Sequence, residues 1–260
     1  SEMAKNKTGK KKIVVASILA ALAMQTASVI DVAAAVGDQP SAAIANGSVT
    51  SGKTNGLAIG NFASSGSNQS IAIGYYSVAT ATEADPALPA TAVGAGANAT
   101  GQSTVALGLL AQATSGSTTA LGAKSVASED AAVAVGYGTK ATGNYASALG
   151  ADATASNNDA TAFGHGTVAS GGSSTALGSR AKAGGTAGVG IGMLANATNQ
   201  YGVAIGGESS SSADNSIAIG RKSSVTGESG IAIGAFTTSK GANGVAVGTN
   251  GTKSDLGGVA

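Results

Sequence analysis

The sequence has no cysteine and no tryptophan, and aromatic residues make up only 3% of its 260 residues. Without cysteine there is no disulfide framework and no thiolate metal site. Hydrophobic residues account for 43% of the chain, but many of them are alanine, which buries little apolar area. The 41 glycines raise the entropic cost of ordering the backbone. Such a chain is either disordered or held together by a repeating architecture and by partners.

An excess of charge of one sign is also lacking. The formal net charge is +1, and five lysines (Lys5, Lys7, Lys10, Lys11 and Lys12) lie in the first twelve residues. From Val36 onward, nine lysines and arginines are set against eleven aspartates and glutamates. Nucleic-acid binding requires a clustered basic face, so the sequence predicts no nucleic-acid partner.

The first 35 residues have the pattern of a signal peptide. Ser1 and Glu2 precede Met3 and are interpreted as a cloning remnant. The lysine-rich stretch is followed by an uncharged apolar run over residues 13–24, which is short for a membrane span and typical of a signal-peptide core. Small residues at 33–35 predict cleavage after Ala35. The pattern therefore predicts export.

A four-residue motif, x-Ala-apolar-Gly, recurs along the rest of the chain, and from Gly94 to Gly248 every interval between its glycines is 14 residues. Repeats of this kind indicate a solenoid. The sequence therefore predicts an all-β parallel solenoid over residues 57–260, with the recurring glycine at a corner that needs positive φ or leaves no space for a Cβ atom. The predicted corner glycines are Gly60, Gly74, Gly94, Gly108, Gly122, Gly136, Gly150, Gly164, Gly178, Gly192, Gly206, Gly220, Gly234 and Gly248.

Constrained and free positions alternate within each repeat, which predicts two short strands and two turns per coil. Small residues three and five positions after the glycine, such as Ala97 and Ala99, are expected to face inward, because the residue between them varies freely. The large residue before the glycine, such as Ile219, is then expected to fill the interior. The invariably small residue before that, such as Ala218, would face outward against another chain. The opposite assignment, with isoleucine and leucine at the interface, also predicts association.

The ends and one insertion depart from the repeat. Residues 36–56 are expected to contain a degenerate capping coil around residues 41–46. Between Gly74 and Gly94 the interval is 20 residues, and the extra segment contains Glu83, Asp85, Pro86 and Pro89. Proline does not fit a central ladder, so residues 80–90 are expected to form an outward loop. The chain ends in mid-repeat, which suggests a fragment of a longer protein.

Residues 215–220, 69–74 and 229–234 resemble the N-S-V-A-I-G-x-x-S/A repeat of YadA-like heads in trimeric autotransporter adhesins. The resemblance covers residues 41–260. It implies a left-handed parallel β-roll that assembles as a homotrimer, a bacterial cell-surface location, and a stalk and membrane anchor C-terminal to this chain. It also implies that the partner is an extracellular protein or glycan.

No catalytic, cofactor or metal site is expected. The single histidine, His165, follows a corner glycine and is expected to be exposed, and the only adjacent carboxylates, Glu129 and Asp130, lie in a predicted turn. The candidate ligand-binding residues are those of the loop (Glu83, Asp85, Pro86, Pro89) and a basic group near one corner (Arg180, Lys182, Arg221, Lys222). Aromatic residues after the corner glycines, such as Tyr75 and Tyr76, are a third candidate or cover chain junctions.

The sequence is compatible with two functions. An adhesive head would bind extracellular macromolecules, whereas a structural spacer would only hold another tip away from the cell. An ice- or mineral-binding solenoid would need a regular threonine array, and the column that contains Thr100 and Thr114 also contains Ser128 and Gly184.

Overall fold

The computed structural model describes residues 42–44, 48–49, 55–81, 88–255 and 257–259. The predicted signal peptide lies outside the described residues, as do Glu83, Asp85 and Pro86 of the predicted loop. Among the described residues no helix is long and apolar enough to cross a membrane.

The described chain forms two parallel sheets of 15 strands each, and each coil contributes a three-residue strand to the first sheet and a two-residue strand to the second. The first sheet contains β1 (Ala42–Ile44), β3 (Leu57–Ile59), β5 (Ile71–Ile73), β7 (Thr91–Val93), β9 (Val105–Leu107), β11 (Thr119–Leu121), β13 (Val133–Val135), β15 (Ser147–Leu149), β17 (Thr161–Phe163), β19 (Thr175–Leu177), β21 (Val189–Ile191), β23 (Val203–Ile205), β25 (Ile217–Ile219), β27 (Ile231–Ile233) and β29 (Val245–Val247). The second sheet contains β2 (Ser48–Val49), β4 (Ser64–Ser65), β6 (Val78–Ala79), β8 (Asn98–Ala99), β10 (Gln112–Ala113), β12 (Val126–Ala127), β14 (Lys140–Ala141), β16 (Thr154–Ala155), β18 (Val168–Ala169), β20 (Lys182–Ala183), β22 (Asn196–Ala197), β24 (Ser210–Ser211), β26 (Ser224–Val225), β28 (Thr238–Ser239) and β30 (Lys253–Ser254).

The predicted solenoid is confirmed, and its register follows the repeat. Each strand pairs with the equivalent strand of the next coil, so that Ala120 pairs with Ala106 and with Ala134. Upstream, β1 pairs with β3 and β2 pairs with β4, so that both sheets continue there. At the other end Val259 forms a bridge with Val245, one repeat before it.

The insertion leaves both ladders intact. Strand β5 pairs directly with β7, and β6 pairs with β8, although the segment between them is longer than a normal corner. Two buried serines hold the ends of the insertion. The Ser67 hydroxyl accepts a hydrogen bond from the Ala81 amide (2.9 Å), and the Ser70 hydroxyl accepts one from the Ala90 amide (3.2 Å). Ala81 and Ala90, which flank most of the insertion, are therefore held at neighbouring positions of the roll.

The recurring glycine marks the corner for both of the predicted reasons. Gly60 to Gly234 of the predicted set have φ between 121° and 134°, a region that only glycine adopts easily. A Cβ atom added to Gly94 would also lie 2.4 Å from the Gly108 carbonyl oxygen of the next coil. Only Gly248, at the last corner, has no positive φ among them.

Each coil also holds residues of other types in the left-handed conformation, two and nine positions after the corner glycine. Leu110 (φ 57°) and Ser117 (φ 56°) are one such pair. Their amides donate to carbonyls of the preceding coil, Leu110 to Ala95 (2.9 Å) and Ser117 to Gln102 (2.8 Å). This conformation is unfavourable for residues with a Cβ atom, and the bonds that continue the ladder around both corners offset its cost.

The interior holds only small side chains, and this corrects one expectation. The alanine two positions before each corner glycine, such as Ala218, is fully buried within the single chain and does not face outward. The following large residue, such as Ile219, is only half-buried and lies on the outer face of the first sheet. The expected inward position of Ala97 and Ala99 is confirmed, because both are fully buried. The roll is therefore too narrow for the isoleucines and leucines.

Serine and threonine replace alanine at some interior positions because the turns offer carbonyl acceptors. The buried Thr118 hydroxyl donates to the Ser115 carbonyl (2.9 Å), and the Ser125 hydroxyl donates to the Gly122 carbonyl (2.8 Å). Because a buried hydroxyl without a partner is costly, these bonds explain how so polar an interior remains stable.

Among the described residues, Val225 is the largest fully buried side chain, and a glycine, Gly230, leaves space beside it. A Cβ atom added to Gly230 would lie 2.8 Å from Val225 Cγ1. We expect Gly230→Ala to lower the free energy of unfolding by about 1–3 kcal/mol, as overpacked cores do. The double variant Val225→Ala/Gly230→Ala should regain at least half of the lost free energy of unfolding, as measured by denaturant unfolding. Additive losses would show that the two positions do not share one space.

Candidate interaction surfaces

The outer face of the first sheet is mostly apolar. The residue one position before each corner glycine is always apolar, and the residue three positions before it is apolar in nine of the fourteen coils and polar in the other five, which have Thr91, Thr119, Ser147, Thr161 and Thr175. The face consists of the residues three and one positions before each corner glycine, and we call it the outer apolar face. Ile71 and Ile73, Val133 and Val135, or Ile217 and Ile219 are such pairs, all half-buried. Larger exposures occur at Leu121 and Leu177 (44% each) and at Val247 (55%). At about 4.8 Å per coil, the face is roughly 60 Å long.

The outer face of the second sheet is polar by comparison. Its side chains come from the position four residues after each corner glycine, where Gln112, Lys140 and Lys182 are exposed. The two outer faces of the roll therefore differ in polarity.

The two residues after each corner glycine form what we call the glycine corner. Three of its exposed aromatic residues gather at one end of the roll, where Phe62 stacks on Tyr76 with 4.7 Å between ring centroids, whereas Tyr137 and Phe236 lie in later coils. Tyr75 meets Tyr76 edge to face, with 4.5 Å between their centroids. Leu110 extends this patch, because a Cβ atom at Gly96 would lie 2.6 Å from its Cδ2 atom. These aromatic residues are exposed in the single chain.

Sequence reasoning missed other exposed apolar residues. Tyr145 (65% exposed) and Tyr201 lie on the opposite corner, nine residues after a corner glycine, and Leu109 and Met193 lie on the glycine corner. The repeat contained a signal for these residues, because the positions one and nine residues after a corner glycine lie in turns, where a side chain is exposed.

The four predicted basic residues do not form one cluster. Arg180 and Lys182 belong to the coil that starts at Gly178, and Arg221 and Lys222 belong to a coil about 14 Å further along the rod. Lys222 forms an ion pair with Glu208, with 3.4 Å between Nζ and Oε2. The Arg221 guanidinium lies 4.4 Å from the centre of the Phe236 ring. Of these four residues, Arg180 and Lys182 are therefore the two that have neither an ion pair nor an aromatic contact in the described part of the chain.

Of the predicted loop residues, Pro89 is described and is half-buried where the chain re-enters the roll. No group of three or more histidine, cysteine, aspartate or glutamate residues that could hold a metal ion occurs in the described part of the chain. His165 is exposed, and Glu129 and Asp130 lie in a turn, as expected.

Comparison with known families gives a match along most of the chain. The family model of the YadA head domain repeat (2 copies) matches residues 51–82, 89–111, 113–139, 141–167, 169–194, 197–223 and 226–250. The gap between the first two matches coincides with the insertion. No curated protein matches the chain at a significant level of similarity.

Proposed function

The chain belongs to the family of YadA head domain repeats, and from this premise we propose that it is the head of a trimeric adhesin on a bacterial surface. In this proposal the signal peptide of residues 1–35 directs export, and a C-terminal anchor outside this chain holds the protein at the outer membrane. The head binds an extracellular protein or glycan.

The outer apolar face is the observation that carries the proposal. Soluble monomers rarely expose a contiguous apolar patch of more than a few hundred Å², and this face presents a large apolar residue directly before every corner glycine along the roll. If three left-handed rolls packed around a common axis, each chain would bury its outer apolar face against the other two. A roll whose own interior holds only small side chains, with Val225 the largest, gains from this assembly the apolar burial that its core does not supply.

Assembly on that face leaves other surfaces for a ligand. The second sheet would face outward from the trimer, and Lys182 is exposed on it, with Arg180 close by on the glycine corner. The insertion with Glu83, Asp85, Pro86 and Pro89 is the second candidate, because it is the one interruption of the repeat between Gly60 and Gly248. Arg221 and Lys222 are weaker candidates, because an aromatic ring and a carboxylate already engage them.

A binding assay tests this proposal. Residues 36–260, in their assembled state, would be measured on immobilised heparin and on decellularised matrix. We expect deletion of residues 83–88 or the pair Arg180→Ala/Lys182→Ala to lower binding about tenfold, since a few residues usually dominate an interface. Lys140→Ala is the matched control, because Lys140 is equally exposed in the same column as Lys182.

The uniform coils favour a second function, a spacer that only holds another tip away from the cell. From β7 to β29 each strand of the first sheet pairs with its neighbours at a constant 14-residue offset, as a passive rod requires. If the wild-type trimer binds neither surface better than a blocked control surface, the spacer function replaces the adhesive one.

A further inference from the structure

The turn after Gly248 is one residue longer than the equivalent turns of the coils before it. Strand β28 pairs with β30 at an offset of 15 residues, whereas β26 pairs with β28 at the usual offset of 14. The Asn250 amide donates to the preceding coil as the second residue after a corner glycine does, and the Thr252 carbonyl accepts as the third residue does. Gly251, which lies between them, is therefore the additional residue.

The additional residue lies free between two fixed points. The Asn250 amide donates to the Ala235 carbonyl (3.1 Å), and the Thr252 carbonyl accepts a bond from the Thr238 amide (2.9 Å). The Gly251 amide donates to no group of the described chain, and a Cβ atom added there would meet no atom within 4 Å. Asn250 and Gly251 are both exposed. The peptide between them is therefore open to solvent and unrestrained by packing.

An asparagine that is followed by glycine can react with its own backbone. The glycine nitrogen attacks Cγ of the asparagine side chain and closes a five-membered cyclic imide, a succinimide. Glycine favours this reaction, because it has no Cβ atom to hinder the approach and its backbone samples more conformations. The reaction also requires that the glycine amide is free of hydrogen bonds and that the peptide can rotate. Gly251 meets both requirements within the described chain.

The other described asparagine–glycine pairs are protected by the roll. Asn243–Gly244 lies on the opposite corner, where Gly244 is buried and its amide donates to the Gly241 carbonyl (3.1 Å). A Cβ atom added to Gly244 would lie 2.9 Å from that carbonyl oxygen, so the peptide has no room to rotate. The pair at residues 55–56 directly precedes a strand in the same way, and its glycine is also buried. A fourth pair, at residues 46–47, lies outside the described residues.

We propose that Asn250–Gly251 is a self-modification site, at which the folded chain forms a succinimide and then aspartate or isoaspartate. The Gly251 nitrogen bonds to Asn250 Cγ, the Cγ–Nδ2 bond breaks, and ammonia leaves with the amide proton of Gly251. Water then opens the ring at either of its two carbonyl carbons. One opening leaves aspartate, and the other leaves isoaspartate, in which the main chain runs through Cβ and Cγ. The reaction consumes water, releases ammonia and needs no enzyme or other reactant.

The two products have different consequences for the coil. Both place a new negative charge on the glycine corner, and the turn accepts an aspartate there, because Asp152 occupies the equivalent position with φ 55°. Isoaspartate also adds one atom to the main chain between the Asn250 amide and the Thr252 carbonyl. Because these two groups bond to the preceding coil, isoaspartate should loosen the ladder locally. The site does not depend on the trimer proposed above.

Peptide mapping by mass spectrometry on the folded chain tests the proposal. After incubation at mildly alkaline pH, we expect Asn250 to lose its amide about tenfold faster than Asn243 or more, because Asn243–Gly244 must first break a hydrogen bond and leave a buried position. In denaturant the two rates should agree within about threefold, since glycine follows both asparagines and the protection by the fold is gone. Equal rates in the folded chain, or the same ratio in denaturant, would overturn the proposal.

Asn250→Gln is the matched variant, because the longer side chain would have to close a six-membered ring, which forms much more slowly. We expect it to remove the fast release of ammonia, while the deamidation rate of the distant Asn243 stays within about twofold of wild type. Fragmentation of the wild-type peptide should show isoaspartate at position 250. Direct hydrolysis of the side-chain amide yields aspartate alone, so a product without isoaspartate would contradict ring closure by Gly251.

Discussion

Leu177→Lys is expected to convert the proposed trimer into monomers. Leu177 lies on the outer apolar face and is 44% exposed in the single chain, so association would bury a lysine ammonium at this site in every copy. An unpaired buried charge costs on the order of 3–5 kcal/mol, and symmetry repeats that cost in each chain. The association constant should fall by several orders of magnitude, measured by sedimentation equilibrium or by light scattering after size-exclusion chromatography.

Val168→Lys is the matched control for this substitution. Val168 is a half-buried apolar residue on the outer face of the second sheet, in the column where Lys140 and Lys182 occur naturally. The variant should therefore associate as the wild type does and unfold at a similar denaturant concentration. If Leu177→Lys stays associated, or if Val168→Lys dissociates equally, the outer apolar face is not the interface.

Gly164→Ala is expected to lower the stability of the roll more than any other single methyl addition at this turn. Gly164 has φ 132°, and an added Cβ would lie 2.9 Å from both the carbonyl carbon and the oxygen of Gly178. Since both contacts are backbone, a rotamer change cannot relieve them, and the two coils must separate. Backbone strain of about 1–3 kcal/mol adds to the lost ladder bonds, so we expect a loss of about 3 kcal/mol or more in denaturant unfolding.

Gly166→Ala, two residues away in the same turn, should cost far less. Gly166 also has positive φ (63°), but the nearest atom to an added Cβ is Arg180 Cγ at 3.5 Å, an ordinary contact. Leu110 and Asp152 occupy this position in other coils with φ of 57° and 55°, so the expected loss is about 1 kcal/mol. Equal losses in the two variants would contradict the steric explanation of the corner glycine.

The assignment of the two faces of the first sheet could not be made from hydrophobicity. Alternation shows that Ala218 and Ile219 point to opposite sides of a strand, and the larger residue is the natural choice for a core. The separation of the two sheets reverses that choice. A Cβ atom added to Gly190 would lie 2.4 Å from the Lys182 carbonyl oxygen on the opposite sheet, so even a methyl group fills the space there. Isoleucine therefore lies outside, on the face that the proposed trimer would cover.

The sequence alone determined the period, the two strands of each coil and the glycine corner, because a backbone conformation open only to glycine and a fixed spacing leave direct marks on residue type. It also located the insertion after Gly74. Only the tertiary structure decided which side of the first sheet is buried, since that depends on the distance between two sheets that no single coil specifies. It also revealed the left-handed turn residues such as Leu110 and Tyr145, whose conformation comes from hydrogen bonds to the coil before them.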